Sequence, residues 1–199
     1  MMKKLEDPRK LLVEIVKILD KLKIPYLITG GIAVLIWGKP RFTADIDIVI
    51  QLKEKNIEKL KKELLKLSKE GYLDEESIKE AIRSQTEFNF LDPVTGIKVD
   101  FWIYRKEDEF DKERFKRRVP IKIFNQMIYF TSPEDLILIK LNWYKISPSN
   151  RQLEDIKSIL KFSREKIDFD YLKHWSKKLS TLKILEKILN REIINKNSQ

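Results

Sequence analysis

Three acidic residues stand in segments whose other residues are apolar. Asp45 and Asp47 alternate with Ile46, Ile48 and Ile50 in "ADIDIVI", and Asp100 lies between Val99 and Phe101 in "KVDFWI". Side chains alternate along an extended chain, so Asp45, Asp47 and Val49 share one face and the isoleucines the other. Two residues of rise separate the pair by about 6.5 to 7 Å at Cα, within reach of one divalent ion. If the segment around Asp100 lies beside this one, three carboxylates converge. Hard oxygen ligands of this kind suit Mg²⁺, which keeps some waters and binds substrate phosphates. Three acids around two such ions is the arrangement that in-line phosphoryl or nucleotidyl transfer requires. Gly30-Gly31 precedes Asp45 by a thirteen-residue gap. A glycine pair between a strand and a helix lets backbone N–H groups approach phosphate oxygens, and the helix dipole adds attraction.

These residues need elements to carry them. Asp7-Pro8 is a helix-start signal, followed by a helical stripe of Leu11, Leu12, Ile15, Ile18, Leu19 and Leu22. "YLIT", residues 26–29, reads as a buried strand ending at the glycines. "IAVLIW" reads as a short buried helix stopped by Gly38 and Pro40, and residues 45–50 as the second strand. Helices are expected from about Asn56 to Glu70 and from Asp74 to Ser84. Hairpins are expected over 87–104, turning at "DPVTG", and around Asn125-Gln126. From Ser132-Pro133 onward the pattern is helical, with a break at Ser147-Pro148 and helices near 149–164, 169–179 and 181–195. The expected fold class is α/β (α+β): a mixed-sheet core with flanking helices over 1–130, then a helical region over 131–199.

Composition narrows the function classes. The 199-residue chain has no cysteine, which excludes disulfides and thiolate metal sites. No run is long and apolar enough for a membrane span, and the N-terminus has no secretory pattern, so a soluble cytoplasmic protein with no membrane partner is expected. The net charge is +10. Lys112, Arg114, Lys116, Arg117, Arg118 and Lys122 oppose only Glu113 within 112–122, and residues 171–199 carry a similar surplus. Such patches favour polyanionic partners, while a solvated lysine-rich surface gives the same composition.

The order of these signals resembles the nucleotidyltransferase superfamily whose fold is shared with DNA polymerase β. That family's pattern is a glycine followed by Gly or Ser, a short gap, Asp-hydrophobic-Asp/Glu, and a later strand acid. "TGG", "ADIDIVI" and "VDFW" match each element. "KPRFTADIDI", "TSPEDLILIKLNWYK" and "RQLEDI" further resemble the small branch related to AbiEii-type toxins and minimal nucleotidyltransferases. The resemblance covers residues 26 to about 160.

The resemblance implies an NTP as donor substrate and a two-ion Mg²⁺ site, with Mn²⁺ as the alternative ion. Asp45, Asp47 and Asp100 would be the metal ligands, with Asp100 either a third ligand or the base that activates the attacking hydroxyl. Gly30, Gly31, Arg41 and Lys140 would hold the triphosphate. Many relatives carry Ser at the second glycine position, so Thr29 or Thr43 is a candidate substitute hydroxyl for Gly31. The implied acceptor is RNA or tRNA, or a protein, and an antitoxin protein is an expected partner under the toxin reading. Two alternatives stand beside this: a non-catalytic RNA- or protein-binding module, and an antibiotic-modifying enzyme. Lys140 also reads as a surface lysine, Arg151 and Asp155 as a helix-surface pair, His174 as a packing or surface residue, and Trp102, Trp143, Tyr144 and Trp175 as core filling or as stacking surfaces for a base.

Overall fold

The computed structural model describes residues 8–68, 70–93 and 96–196, with side chains described as far as residue 190. The expected Asp7 cap and the turn residues Val94 and Thr95 lie outside the described residues. Helix α1 (Pro8–Lys21) buries Leu11, Leu12, Ile15 and Leu19, as its stripe dictates. Strand β1 (Tyr26–Thr29) leads into α2 (Gly30–Trp37), and β2 (Asp45–Ile50) follows. Both glycines fall in the first turn of α2 rather than before it. Gly30 keeps φ at 61°, so turn and helix start overlap. Next come α3 (Ile57–Leu67) and α4 (Glu75–Ser84), the latter capped by Asp74, which accepts from the Ser77 N–H. The hairpin β3 (Glu87–Asp92) and β4 (Ile97–Ile103) precedes α5 (Glu109–Lys116). Sequence periodicity gives no sign of α5, because in eight residues only Phe110 and Phe115 anchor it, with Asp108 as its cap. The second hairpin, β5 (Val119–Ile123) and β6 (Gln126–Phe130), closes the strands.

The six strands form one mixed sheet in the order β3-β4-β2-β1-β6-β5. β2 runs antiparallel to β1 and parallel to β4. The Ile46, Ile48 and Ile50 face of β2 and the Val99, Phe101 and Ile103 face of β4 are buried. Phe90 continues this face on β3, and its ring abuts Gly71 between α3 and α4. On the opposite face Leu27, Val49 and Phe115 form a buried cluster, with Trp102 and Tyr104 packed against it. α5 therefore covers one end of the face that carries Asp45 and Asp47.

The remaining elements are α6 (Pro133–Ile146), capped by Ser132, then α7 (Asn150–Phe162), α8 (Phe169–Lys178) and α9 (Leu182–Lys196). The chain divides into two compact units. One comprises the described residues up to Ile32 with Phe42–Thr131, and the other Ala33–Arg41 with Ser132 onward. In the second unit the Ser163 hydroxyl donates to the Trp37 carbonyl (2.6 Å), which ties segment 33–41 to the helices.

Candidate active site

In the first unit, strand register decides which acids meet. Asp47 is the direct partner of Asp100 across β2 and β4, and of Thr29 across β1. Asp45 is the partner of Lys98. Partners share a sheet face, so Thr29, Asp47, Asp100 and Asn89 form one row across four strands, beside a second row of Asp45, Lys98 and Leu91. The three sequence-predicted acids thus lie on one face of two adjacent parallel strands. Among the described residues no three Asp, Glu, His or Cys side chains make a ready metal cluster. Asp100, 7% exposed, turns its carboxylate to Lys98, whose Nζ lies 2.9 Å from Oδ2.

Asp47 is held by N–H donors, the Trp102 indole and the Gly31 backbone. Burial raises its pKa above 3.8, and the Asp100 and then the Asp45 charges add to the rise against the two hydrogen bonds. Burial and the Asp100 charge likewise raise Glu87, on the same face of β3. The glycines make the close approach possible. A Cβ on Gly30 would collide with the Asp47 carboxylate, and one on Gly31 with the Thr43 hydroxyl. Thr43 is buried and donates to the Asp45 carbonyl (3.3 Å). Among the described residues the buried Thr29 hydroxyl has no hydrogen-bond partner, although it stands beside Asp47 in register. Crowded carboxylates, an unfilled hydroxyl and a glycine cradle are a fit for a divalent cation with a phosphate ligand.

The whole chain matches a known family. Residues 3–197 fit the model of a family described as nucleotidyltransferase of unknown function (DUF6036). The chain belongs to this nucleotidyltransferase family. No curated protein matches it in sequence. Among solved structures it is similar to the antibiotic-resistance factor ANT(2'')-Ia, with 13% identity and TM-score 0.59 over 94% of this chain and 99% of that one. The lincosamide antibiotic adenylyltransferase LnuA, solved with lincomycin, aligns at 16% identity and TM-score 0.52 over 75% and 94% of the two chains. An antigenic nucleotidyltransferase-like protein from Paracoccidioides brasiliensis aligns at 22% and 0.50, over 76% and 75%. Identities this low speak for the fold, and the superfamily fold expected from the motifs is the fold found.

The other two predicted site residues of this nucleotidyltransferase, Arg41 and Lys140, belong to the second unit, and both bind one carboxylate. Arg41 donates through Nε to Asp155 Oδ1 (2.7 Å) and through a terminal nitrogen to Oδ2 (2.8 Å). Lys140 Nζ lies 2.7 Å from the same Oδ2 and 3.2 Å from Gln152 Oε1. Lys140 is therefore a buried ion-pair member rather than a surface lysine, and Asp155 pairs here rather than serving as the exposed partner of Arg151. Burial works to raise Asp155, but the Arg41 and Lys140 hydrogen bonds outweigh it and hold the carboxyl below its ordinary value.

Sequence reasoning missed Lys98 and the hydrogen bond from Trp102 to Asp47. Their signal was available: alternation through "KVDFW" puts Lys98, Asp100 and Trp102 on one face. The 112–122 patch is smaller than its composition. Arg114 donates to the buried Asp111 (2.9 Å), which Arg105 also grips. Arg118 lies over the Phe115 and Tyr129 rings, 4.8 and 5.0 Å from their centroids, and donates to the Phe115 carbonyl. Lys112, Lys116 and Lys122 stay exposed. His174 is exposed and lies edge-on to Trp175. No helix among the described residues is long and apolar enough to cross a membrane.

Proposed function

We propose that this chain moves a nucleoside monophosphate from an NTP to an acceptor hydroxyl, with release of pyrophosphate, in a Mg²⁺-dependent reaction. The observation that carries this reading is the register of Asp47 on Asp100, with Asp45 on the same face and Gly30-Gly31 packed onto Asp47. Asp45 and Asp47 would hold the divalent ion. Asp100 would join them or accept the hydroxyl proton. When bound, the ion supplies charge neutralisation at the phosphate. The Gly31 turn and the α2 N-terminus face the donor phosphates, and the Thr29 hydroxyl is the candidate substitute for the serine of relatives. Arg41 and Lys140, both bound to Asp155, are kept as the proposed cations for the triphosphate.

RNA is the favoured acceptor. α5 packs through Phe115 onto Leu27 and Val49, on the face that carries Asp47, and turns out Lys112 and Lys116. A neutralising antitoxin-like protein partner is part of the same reading. A small-molecule hydroxyl is the second reading, favoured by Glu87 and Asn89, which add an acid and an amide to the same face beside Asp100. The test is incubation of the protein with each α-labelled NTP, Mg²⁺ and total RNA, with Asp47→Asn as control. Label transferred to RNA only by the wild type is the expected result. No transfer to RNA, protein or small hydroxyl compounds with any NTP would overturn catalysis and leave a binding module. If about four lysines contact single-stranded RNA, log affinity should fall with log salt at a slope of about −3.

A further inference from the structure

Lys98 is a cation already present where the proposed chemistry needs one. Its Nζ lies 2.9 Å from Asp100 Oδ2, and its strand partner on β2 is Asp45, so the ammonium pairs with one acid and stands in register with a second. The two ends of this pair differ. The Asp100 side chain is 10% exposed, while that of Lys98 is 44% exposed. On its other side the strand partner of Lys98 is Leu91, itself 44% exposed, so this side of the lysine borders solvent. An ammonium is a compact, well-hydrated charge on a flexible stem. The ammonium end is half-exposed and can be rehydrated when it leaves, while the enclosed Asp100 carboxylate needs a replacement cation. The Lys140 pair contrasts with this one, since there both side chains are almost fully enclosed (7% and 3% exposed).

We propose that Lys98 is the internal counter-cation of the carboxylate cluster. It holds Asp100 in the metal-free protein, yields that carboxylate to the divalent ion, and passes its ammonium to a phosphate oxygen of the nucleotide. The charges argue for this exchange. Asp45, Asp47 and Asp100 on one face repel one another, and Lys98 is the cation that offsets them before an ion arrives. Once an ion takes Asp100, an ammonium beside it is repelled. The incoming triphosphate then offers Lys98 a new anionic partner. This inference rests on the metal-dependent reading above and adds a phosphate-binding residue to it.

The test measures Mn²⁺ binding by titration calorimetry, without turnover, for wild type, Lys98→Met, Lys98→Arg and Asp47→Asn. Loss of a nearby competing charge should make Lys98→Met bind Mn²⁺ on the order of tenfold more tightly. Lys98→Arg keeps the charge and should bind no more tightly than wild type. At saturating Mn²⁺, Lys98→Met should bind a non-hydrolysable NTP analogue several-fold more weakly than wild type. Thermal unfolding confirms that each variant is folded, and Lys98→Gln replaces Lys98→Met if the latter is not. Asp47-dependent Mn²⁺ binding that is the same in wild type and Lys98→Met would overturn the role of Lys98 alone. A wild type that binds no Mn²⁺ would overturn the metal-dependent reading and this inference with it.

Discussion

Asp47 and Asp155 are both carboxylates removed from full solvation, and they are treated in opposite ways. Asp155, 3% exposed, is gripped by a guanidinium and an ammonium. Burial works to raise it, but the cations win and its pKa falls. Asp111 in α5 follows the same rule, with Arg105 and Arg114 overcoming burial. Asp47 accepts instead from the Trp102 indole and the Gly31 N–H, the Asp100 and Asp45 carboxylates push its pKa up, and burial leads the rise. Burial alone therefore does not mark a functional acid. A buried acid that is matched by cations is complete. One that faces other acids is incomplete, and an added cation completes it.

The sharpest break of this comparison is to neutralise each acid. Asp47→Asn should lower nucleotidyl transfer by about 10³-fold or more, since charge stabilisation at a metal site is worth several kcal/mol. The same change should leave the melting temperature unchanged or higher, because it removes like-charge repulsion. A large fall in melting temperature would place Asp47 with the structural acids.

Asp155→Asn should do the reverse to stability. It leaves Lys140 enclosed without its carboxylate and should cost about 3–5 kcal/mol, read as a lower urea midpoint. A loss below about 1 kcal/mol would show that Lys140 readily reaches solvent.

Gly30→Ala sharpens the contrast at the backbone. A left-handed φ costs a β-carbon about 1–2 kcal/mol, and here the new atom also meets the Asp47 carboxylate. Pairing it with Asp47→Ala should recover part of the loss, because the collision with the carboxylate disappears, while the close approach to the residue-47 Cβ (2.8 Å) and the dihedral cost remain. Full additivity of the two changes, measured by urea unfolding, would separate the glycine from the acid.

The smallest effect is in pH dependence. The folded pKa of Asp47 is raised above 3.8, so its stabilising contribution is full below 3.8 and is lost as pH rises through the folded value. Asp155 and Asp111 are lowered, so theirs is full above 3.8 and is lost as pH falls through the folded values. Urea midpoints of wild type and Asp47→Asn should therefore converge as pH is lowered from about 8 to about 4. Equal midpoints for the two proteins throughout would remove the electrostatic strain assigned to Asp47.

Local patterns were legible without a structure. The isoleucines of β2 are apolar at every second position, and that period alone places Asp45 and Asp47 together and away from the core. Ser132-Pro133 announces α6, the stripe of α1 announces its buried face, and the glycine pair announces a tight turn. These are short-range properties of the backbone, so adjacent residues suffice to specify them. α5 escaped because two anchors in eight residues make no period. The partners were beyond reach for a different reason. Asp47 meets Asp100 only because β4 docks parallel to β2 in one register, chosen by burial of Ile46 and Ile48 beside Val99 and Phe101. Trp102 becomes a donor to Asp47 through that same docking, whereas the Lys98–Asp100 pair is made within β4 itself. Arg41, Lys140 and Asp155 come from three separate segments, and packing alone gathers them into one charge cluster. The sequence by itself determined which residues could do chemistry and which face they share. The tertiary structure decided which acids meet one another and which meet a cation, because long-range pairing depends on apolar faces finding burial together.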